Sequence, residues 1–163
     1  MSKLHPQTLA IRASKEQTPF NEHQQALFLT SSFMADSAAD AAAIFAKTKE
    51  GYTYSRTANP TIAAFQKRIA ALENAEAGIA TATGMAAIQA ALLTFLNAGD
   101  HLVSSRSLFG TTAGLLSGHI ARFGIEITFV SQTDVSEWEK AIRPNTKMLF
   151  LETPSNPLNE VAD

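Results

Sequence analysis

From Asn59 onward the chain alternates short apolar runs with segments whose apolar residues return every three or four positions, and few folds accept that alternation. Asn59-Pro60 offers an N-cap followed by proline at the first helical position. In the helix that follows, Ile62, Phe65, Ile69 and Leu72 make the apolar side, while Gln66, Lys67 and Arg68 face away. Ile79 to Thr83 reads as a strand. Met85, Ile88, Leu92 and Phe95 share one side of a second helix, apolar nearly all round and rich in alanine, which is expected to be central and buried. Asn97-Ala98-Gly99-Asp100 ends it. His101 to Ser104, Ile125 to Val130 and Met148 to Leu151 read as further strands, the last of them buried. Thr111 to Phe123 is helical, with Leu115, Leu116, His119, Ile120 and Phe123 clustered and Gly124 as the stop. Asp134 opens one more helix, with Glu137 three residues on in a capping-box arrangement. Strand and helix in turn imply an α/β fold with a mostly parallel sheet flanked by helices. Ligands of such sheets sit beyond the carboxyl ends of the strands.

Residues 1–57 have a different character and read as an extended N-terminal arm, with 58–163 as the regular domain. Leu4, Thr8, Ile11 and Arg12 suggest a short helix, Gln17 to Gln25 is polar, and Ala26 to Thr30 is a brief strand-like run. Asp36 to Lys49 is an alanine-rich helix begun by Asp36 or Ser37. Gly51 to Arg56 is extended or loop. The arm has few large apolar residues, so it must pack on its own main domain or on a second subunit. The net charge of −2 and the lack of basic blocks argue against nucleic acid and anionic membrane surfaces as partners. With no cysteine, neither disulfides nor a thiolate metal site is possible. No signal-like start or membrane-length apolar run appears, and a cytoplasmic protein is expected.

Several residues carry chemistry. At Thr83-Gly84-Met85 a glycine opens a helix whose first amides lack intrahelical acceptors and carry the positive end of the dipole, which suits an anion. The alternatives are a phosphate cup and an ordinary strand-to-helix turn. If Tyr54-Ser55-Arg56 is extended, Tyr54 and Arg56 point the same way, a phenol beside a guanidinium fork. That pair can grip a phosphate, or be a surface arginine beside an interfacial tyrosine. Phe109 can cover an aromatic ligand or pack in the core. Asn156 can offer an amide to a ligand or serve as a turn residue before Pro157. Glu152, at a strand end, is placed to hydrogen-bond within the loops. His5, His23, His101 and His119 have no metal-like grouping and read as surface or structural residues, and no metal site is expected.

The ordered set Tyr54-Ser55-Arg56-x-x-Asn59-Pro60-Thr61, Thr83-Gly84-Met85-Ala86-Ala87, Leu108-Phe109-Gly110 and Glu152-Thr153-Pro154-Ser155-Asn156-Pro157 resembles the Cys/Met-metabolism family of pyridoxal 5′-phosphate (PLP) enzymes. The resemblance covers essentially the whole chain. It implies the N-terminal part of a fold-type-I PLP-dependent transferase, with 58–163 as the first part of the large PLP-binding domain. Thr83, Gly84 and Met85 match the cup that holds the cofactor phosphate, and Tyr54 and Arg56 match the pair that reaches the phosphate in a neighbouring subunit's site. Asn156 matches the amide that contacts the cofactor's ring oxygen. Phe109 stands where most members have a tyrosine stacked on the pyridine ring; phenylalanine keeps the stacking and loses the hydroxyl.

That feature, with Ser107-Leu108-Phe109-Gly110-Thr111 and the Trp138 helix, resembles the O-succinylhomoserine sulfhydrylase branch. The implied reaction of the full-length enzyme is γ-replacement on an O-acylhomoserine by sulfide, giving homocysteine for methionine biosynthesis. Cystathionine γ-synthase or γ-lyase chemistry, or a non-catalytic remnant active only in oligomerisation, are the alternatives. The implied partners are a small amino-acid substrate and further copies of the chain, a dimer of dimers with shared sites. The family's Schiff-base lysine lies beyond the segment matched. Lys147 precedes the last strand, at the wrong end of the sheet; Lys47, Lys49, Lys67 and Lys140 fall on predicted helices; Lys3 and Lys15 are in the arm. No catalytic residue is therefore expected in this chain, which reads as the N-terminal portion of an enzyme.

Overall fold

The structure is a computed structural model describing residues 4–14 and 18–163, so Lys3 and Lys15 lie outside the described residues. It forms two compact units, Met1–Ala80 and Thr81–Asp163. The arm drawn at 1–57 lies wholly in the first, which runs on to Ala80.

In the first unit, helix α1 (Pro6–Arg12) packs on α3 (Pro60–Glu73). Asn59 starts α3 as expected: its Oδ1 accepts from Thr61 N at 2.8 Å, and Pro60 takes the first helical position. The same amide ties down the preceding chain, because Nδ2 donates to Phe28 O at 3.0 Å and to Ser55 Oγ at 2.9 Å. Asn59 is accordingly buried. The 26–30 run is not a strand: it lies along the start of α3, where Phe28 N donates to Thr61 Oγ1 at 2.9 Å. Pairing in this unit is limited, among the described residues, to the antiparallel bridge Ser32–Tyr54. Ser37, rather than Asp36, caps α2 (Ala38–Phe45), accepting from Asp40 N at 3.0 Å. Lys47, in a left-handed conformation, and Lys49, paired with Asp40, lie past the end of that helix rather than on it.

The apolar side of α3 is not buried. Ala64 and Ala70 face the interior, whereas Ile62, Phe65, Ile69 and Leu72 are 39–56% exposed. The helix packs within its own unit through small side chains, and its large ones are left for another surface.

The second unit is a three-stranded parallel sheet, β1 (His101–Ser105), β2 (Glu126–Val130) and β3 (Thr146–Phe150), in the order β2-β1-β3. Central β1 is buried along its whole length. Edge strand β3 is only half-buried and shows Leu149 to solvent, so it is not the enclosed strand that its composition suggests. Ile79 to Thr83 forms no strand; Ile79 is exposed, and the run has no ladder partner among the described residues. Helix α4 (Gly84–Phe95) buries one stripe, with Leu92 and the following Leu96 enclosed and Ile88 packed against the same core. Leu93 and Phe95 are exposed, so α4 is not buried all round. Its stripe meets Leu102, Leu108, Leu116, Ile120 and Ile125.

The segment after β1 is helical throughout but not uniform. Helix α5 (Gly110–Gly114) runs into a π-helical stretch, Leu115–Ile120, and a 3₁₀ turn, Ala121–Phe123, before Gly124 stops it at φ +80°. The wider π turn changes the facing of the residues that follow it. Leu116 and Ile120 enter the core, while His119 and Phe123 point outward, against the cluster expected from α-helical spacing. Asp134 caps α6 (Val135–Ala141) by accepting from Ser136 N at 2.9 Å. The reciprocal half of the capping box is absent, since Glu137 accepts from Ser131 N at 2.7 Å and pairs with Arg106.

Candidate functional site

The short 97–100 connection, where Asp100 N donates to Asn97 O, joins α4 to β1, and Leu92 and Leu96 share a core with Leu102. Thr83, extended at φ −152°, is the N-cap: its Oγ1 accepts from Ala86 N at 3.1 Å and its carbonyl from Ala87 N at 3.1 Å. Neither the Gly84 nor the Met85 amide has an acceptor among the described residues. A Cβ placed on Gly84 would meet nothing within 4 Å, so no neighbour in the chain accounts for the glycine. Two unused amides, a helix dipole and an open backbone fit the requirements of a phosphate group. Here the residues present suit the cofactor that the family resemblance implies.

Phe109 and Asn156 both follow carboxyl ends of adjacent strands, β1 and β3. Phe109 precedes α5 and is half-exposed, with its ring not committed to the core. Asn156 sits in a turn and is exposed. The loop that carries it is closed on buried Ser155: Ser155 N donates to Glu160 O at 2.9 Å, and Glu160 N donates to Ser155 Oγ at 3.0 Å. Below it lies a polar network. Ser105 Oγ donates to Gln132 Oε1 at 2.8 Å, Gln132 Nε2 donates to Glu160 O at 2.8 Å, and Ser107 Oγ donates to Glu160 Oε2. The loops after all three strands are thereby laced together.

Glu152, four positions before Asn156 on the chain leaving β3, grips the Phe109 backbone directly. Glu152 accepts from Phe109 N at 3.0 Å through Oε2 and from Thr112 Oγ1 at 2.7 Å through Oε1. The sequence places Glu152 among the loop hydrogen bonds; its grip on Phe109, 43 positions away, comes from the structure.

Tyr54 and Arg56 lie in the first unit. The run is not extended through to Arg56: Tyr54 closes the bridge to Ser32 and then starts a turn, with Thr57 N and Ala58 N both donating to Tyr54 O. The two side chains still meet. The Arg56 guanidinium carbon stands 5.2 Å from the Tyr54 ring centroid, a cation–π contact made by the turn rather than by strand alternation.

Of the histidines, His101 is fully buried and structural, held between Thr146 and Thr128. No group of three or more metal-ligating side chains occurs among the described residues. Nor does any helix among them have the length and apolarity to cross a membrane.

The profile of the Cys/Met-metabolism PLP-dependent enzymes matches residues 7–163. An O-succinylhomoserine sulfhydrylase of Pseudomonas aeruginosa is 50% identical over 156 residues, which are 96% of this chain and 39% of that protein. An L-methionine γ-lyase of Fusobacterium nucleatum is 40% identical over 156 residues, with 96% and 40% covered. Among solved structures, an assigned O-acetylhomoserine (thiol)-lyase of Campylobacter jejuni, which carries an N′-pyridoxyl-lysine-5′-monophosphate, superposes with a TM-score of 0.91. It is 32% identical, with 98% of this chain and 39% of that one covered. The chain thus spans about two fifths of the length of these relatives.

Proposed function

The chain belongs to the Cys/Met-metabolism family of PLP-dependent enzymes, and on that footing we propose that the protein containing it replaces the succinyloxy group of O-succinylhomoserine with sulfide, releasing succinate and homocysteine. The observation that carries this reading is the 50% identity to an O-succinylhomoserine sulfhydrylase, against 40% for an L-methionine γ-lyase over a stretch of the same length. The reading includes methionine biosynthesis as the setting, the cytoplasm as the place, and a homo-oligomer, a dimer of dimers, as the working form.

When bound, PLP supplies an electron sink that stabilises a carbanion on an amino-acid substrate. This chain's own residues would bind and orient. The Gly84 and Met85 amides, with the Thr83 hydroxyl, would hold the phosphate, whose charge complements the amino end of α4. Tyr54 and Arg56 of a neighbouring copy of the chain would add a phenol and a guanidinium to that anion. The Phe109 ring would lie against the cofactor's aromatic face, and the Asn156 amide would meet its ring oxygen. Phe109 holds no exchangeable proton, so it orients and excludes water and moves no proton.

The test uses the purified full-length protein. With O-succinylhomoserine and sulfide it is expected to form homocysteine and succinate in equal amounts. Methionine should be a much poorer substrate by kcat/KM. Faster release of methanethiol and 2-oxobutyrate from methionine would replace this reading with that of a γ-lyase.

A further inference from the structure

The Phe109 backbone is held from outside its own segment. Phe109 is the N-cap residue of α5, yet α5 has no side-chain cap hydrogen bond of its own. The orphan donors at such a helix start need acceptors. Glu152, from the chain leaving β3, meets that need for one amide: its Oε2 accepts from Phe109 N at 3.0 Å, while its Oε1 accepts from the Thr112 side-chain hydroxyl at 2.7 Å. Thr112 is buried, so this end of the bridge is anchored in the core. Four residues on, the same chain carries Asn156. Glu160 braces a different point, Ser107, and leaves Phe109 untouched.

We propose that Glu152 is a positioning residue, which sets the Phe109 ring against the cofactor by clamping the start of α5 to the loop that bears Asn156. The inference rests on the reading of Phe109 as a cofactor contact. Two geometric facts support it beyond simple loop packing. Glu152 touches the backbone of the very residue whose ring must be aimed, and that ring is half-exposed, so core contacts leave part of its orientation to the backbone. A glutamine can reproduce the arrangement, since its oxygen accepts from the Phe109 amide while its NH₂ donates to the Thr112 hydroxyl.

The experiment is a double-mutant cycle on the full-length protein with PLP, read by PLP dissociation constant and by the visible circular dichroism of the bound cofactor. Glu152→Ala is expected to weaken PLP by about 10-fold and to diminish the dichroic band. Glu152→Gln should restore both to within about 3-fold. Phe109→Ala should itself weaken PLP, and in that background Glu152→Ala should add less than about 3-fold. Equal losses from Glu152→Ala in both backgrounds would overturn the proposal, since Glu152 would then act without Phe109. So would failure of Glu152→Gln to rescue. If Glu152→Ala does not fold, Glu152→Asp enters the same cycle, because it keeps the charge and shortens the reach to the Phe109 amide. An unchanged PLP signal in Phe109→Ala marks a different failure: the cofactor contact itself is wrong, and the positioning role falls with it.

Discussion

Arg56 is stacked on Tyr54, with its guanidinium carbon 5.2 Å from the ring centroid. Stacking on the face of a ring leaves the in-plane N–H donors of the fork free to meet an anion, which suits arginine better than lysine here. Arg56→Ala in the full-length protein is therefore expected to raise the PLP dissociation constant by about 10- to 150-fold, the range of one charge-assisted hydrogen bond. Titration of the apoprotein with PLP measures it; unchanged affinity in a correctly assembled variant would remove Arg56 from the site. At this scale the sequence is informative about residue types and poor on contacts. Asn59 as cap and Gly84 at a helix start follow from local chemistry that a few neighbouring residues complete. The meeting of Arg56 with Tyr54 was expected from strand alternation and arises from a turn, because Tyr54 O accepts two amides from the residues that follow. Glu152 on Phe109 depends on adjacent strands of a sheet and has no local signal at all.

The three strands are tied together by His101, the first residue of β1. It is fully buried, with Nδ1 2.7 Å from Thr146 Oγ1 on β3 and Nε2 2.8 Å from Thr128 Oγ1 on β2. Arg143 closes the arrangement, donating from Nη2 to Thr128 Oγ1 at 3.0 Å and pairing with Glu126 at 2.8 Å. Burial first, and then the Arg143 charge, hold the imidazole below its ordinary pKa, with Glu126 acting in the opposite sense. The folded state thus protonates His101 less readily than the unfolded chain, which takes up a proton near about pH 6.5. Its contribution to stability is whole above that pH and is lost as the pH falls through it toward the lower folded value. The thermal midpoint should drop between about pH 7.5 and about pH 5.5, by no more than about 1.4 kcal/mol of stability per pH unit from this one group. His101→Gln should lack that component; an identical pH slope in the variant would exclude His101 as its source. Strand β1 was legible although only Leu102 and Val103 of its residues are apolar, because Asn97-Ala98-Gly99-Asp100 marks the break that precedes it. Ile79 to Thr83 is also a short run of β-compatible residues and forms no ladder, since a strand exists only beside a partner that local sequence does not name.

Across the molecule, the expectations of burial that failed in α3, α4 and β3 share one cause. The apolar sides of α3 and α4 and the face of β3 were read as buried, and Ile62, Phe65, Phe95 and Leu149 are each more than two-fifths exposed. Periodicity reports that a face seeks cover, and says nothing of which chain covers it. In the first unit the exposed side of α3 follows directly on the segment that carries Tyr54 and Arg56, which suits a contact between copies of the protein. If so, each active site is composite, with Tyr54 and Arg56 lent to a neighbour and Thr83, Gly84, Met85, Phe109 and Asn156 kept at home. In a two-fold dimer every subunit presents the same patches to the other. Arg56→Ala then damages what a subunit lends, and Asn156→Ala what it keeps. A hybrid of the two variants places both lesions in one site and neither in the other. Random one-to-one mixing makes about half of the dimers hybrid, so about a quarter of all sites should be intact. Co-expression of the two variants, followed by activity per subunit, is expected to exceed either variant alone by a wide margin. Activity that merely averages the two would mean that both residues serve the site of their own chain, and the composite arrangement would be wrong.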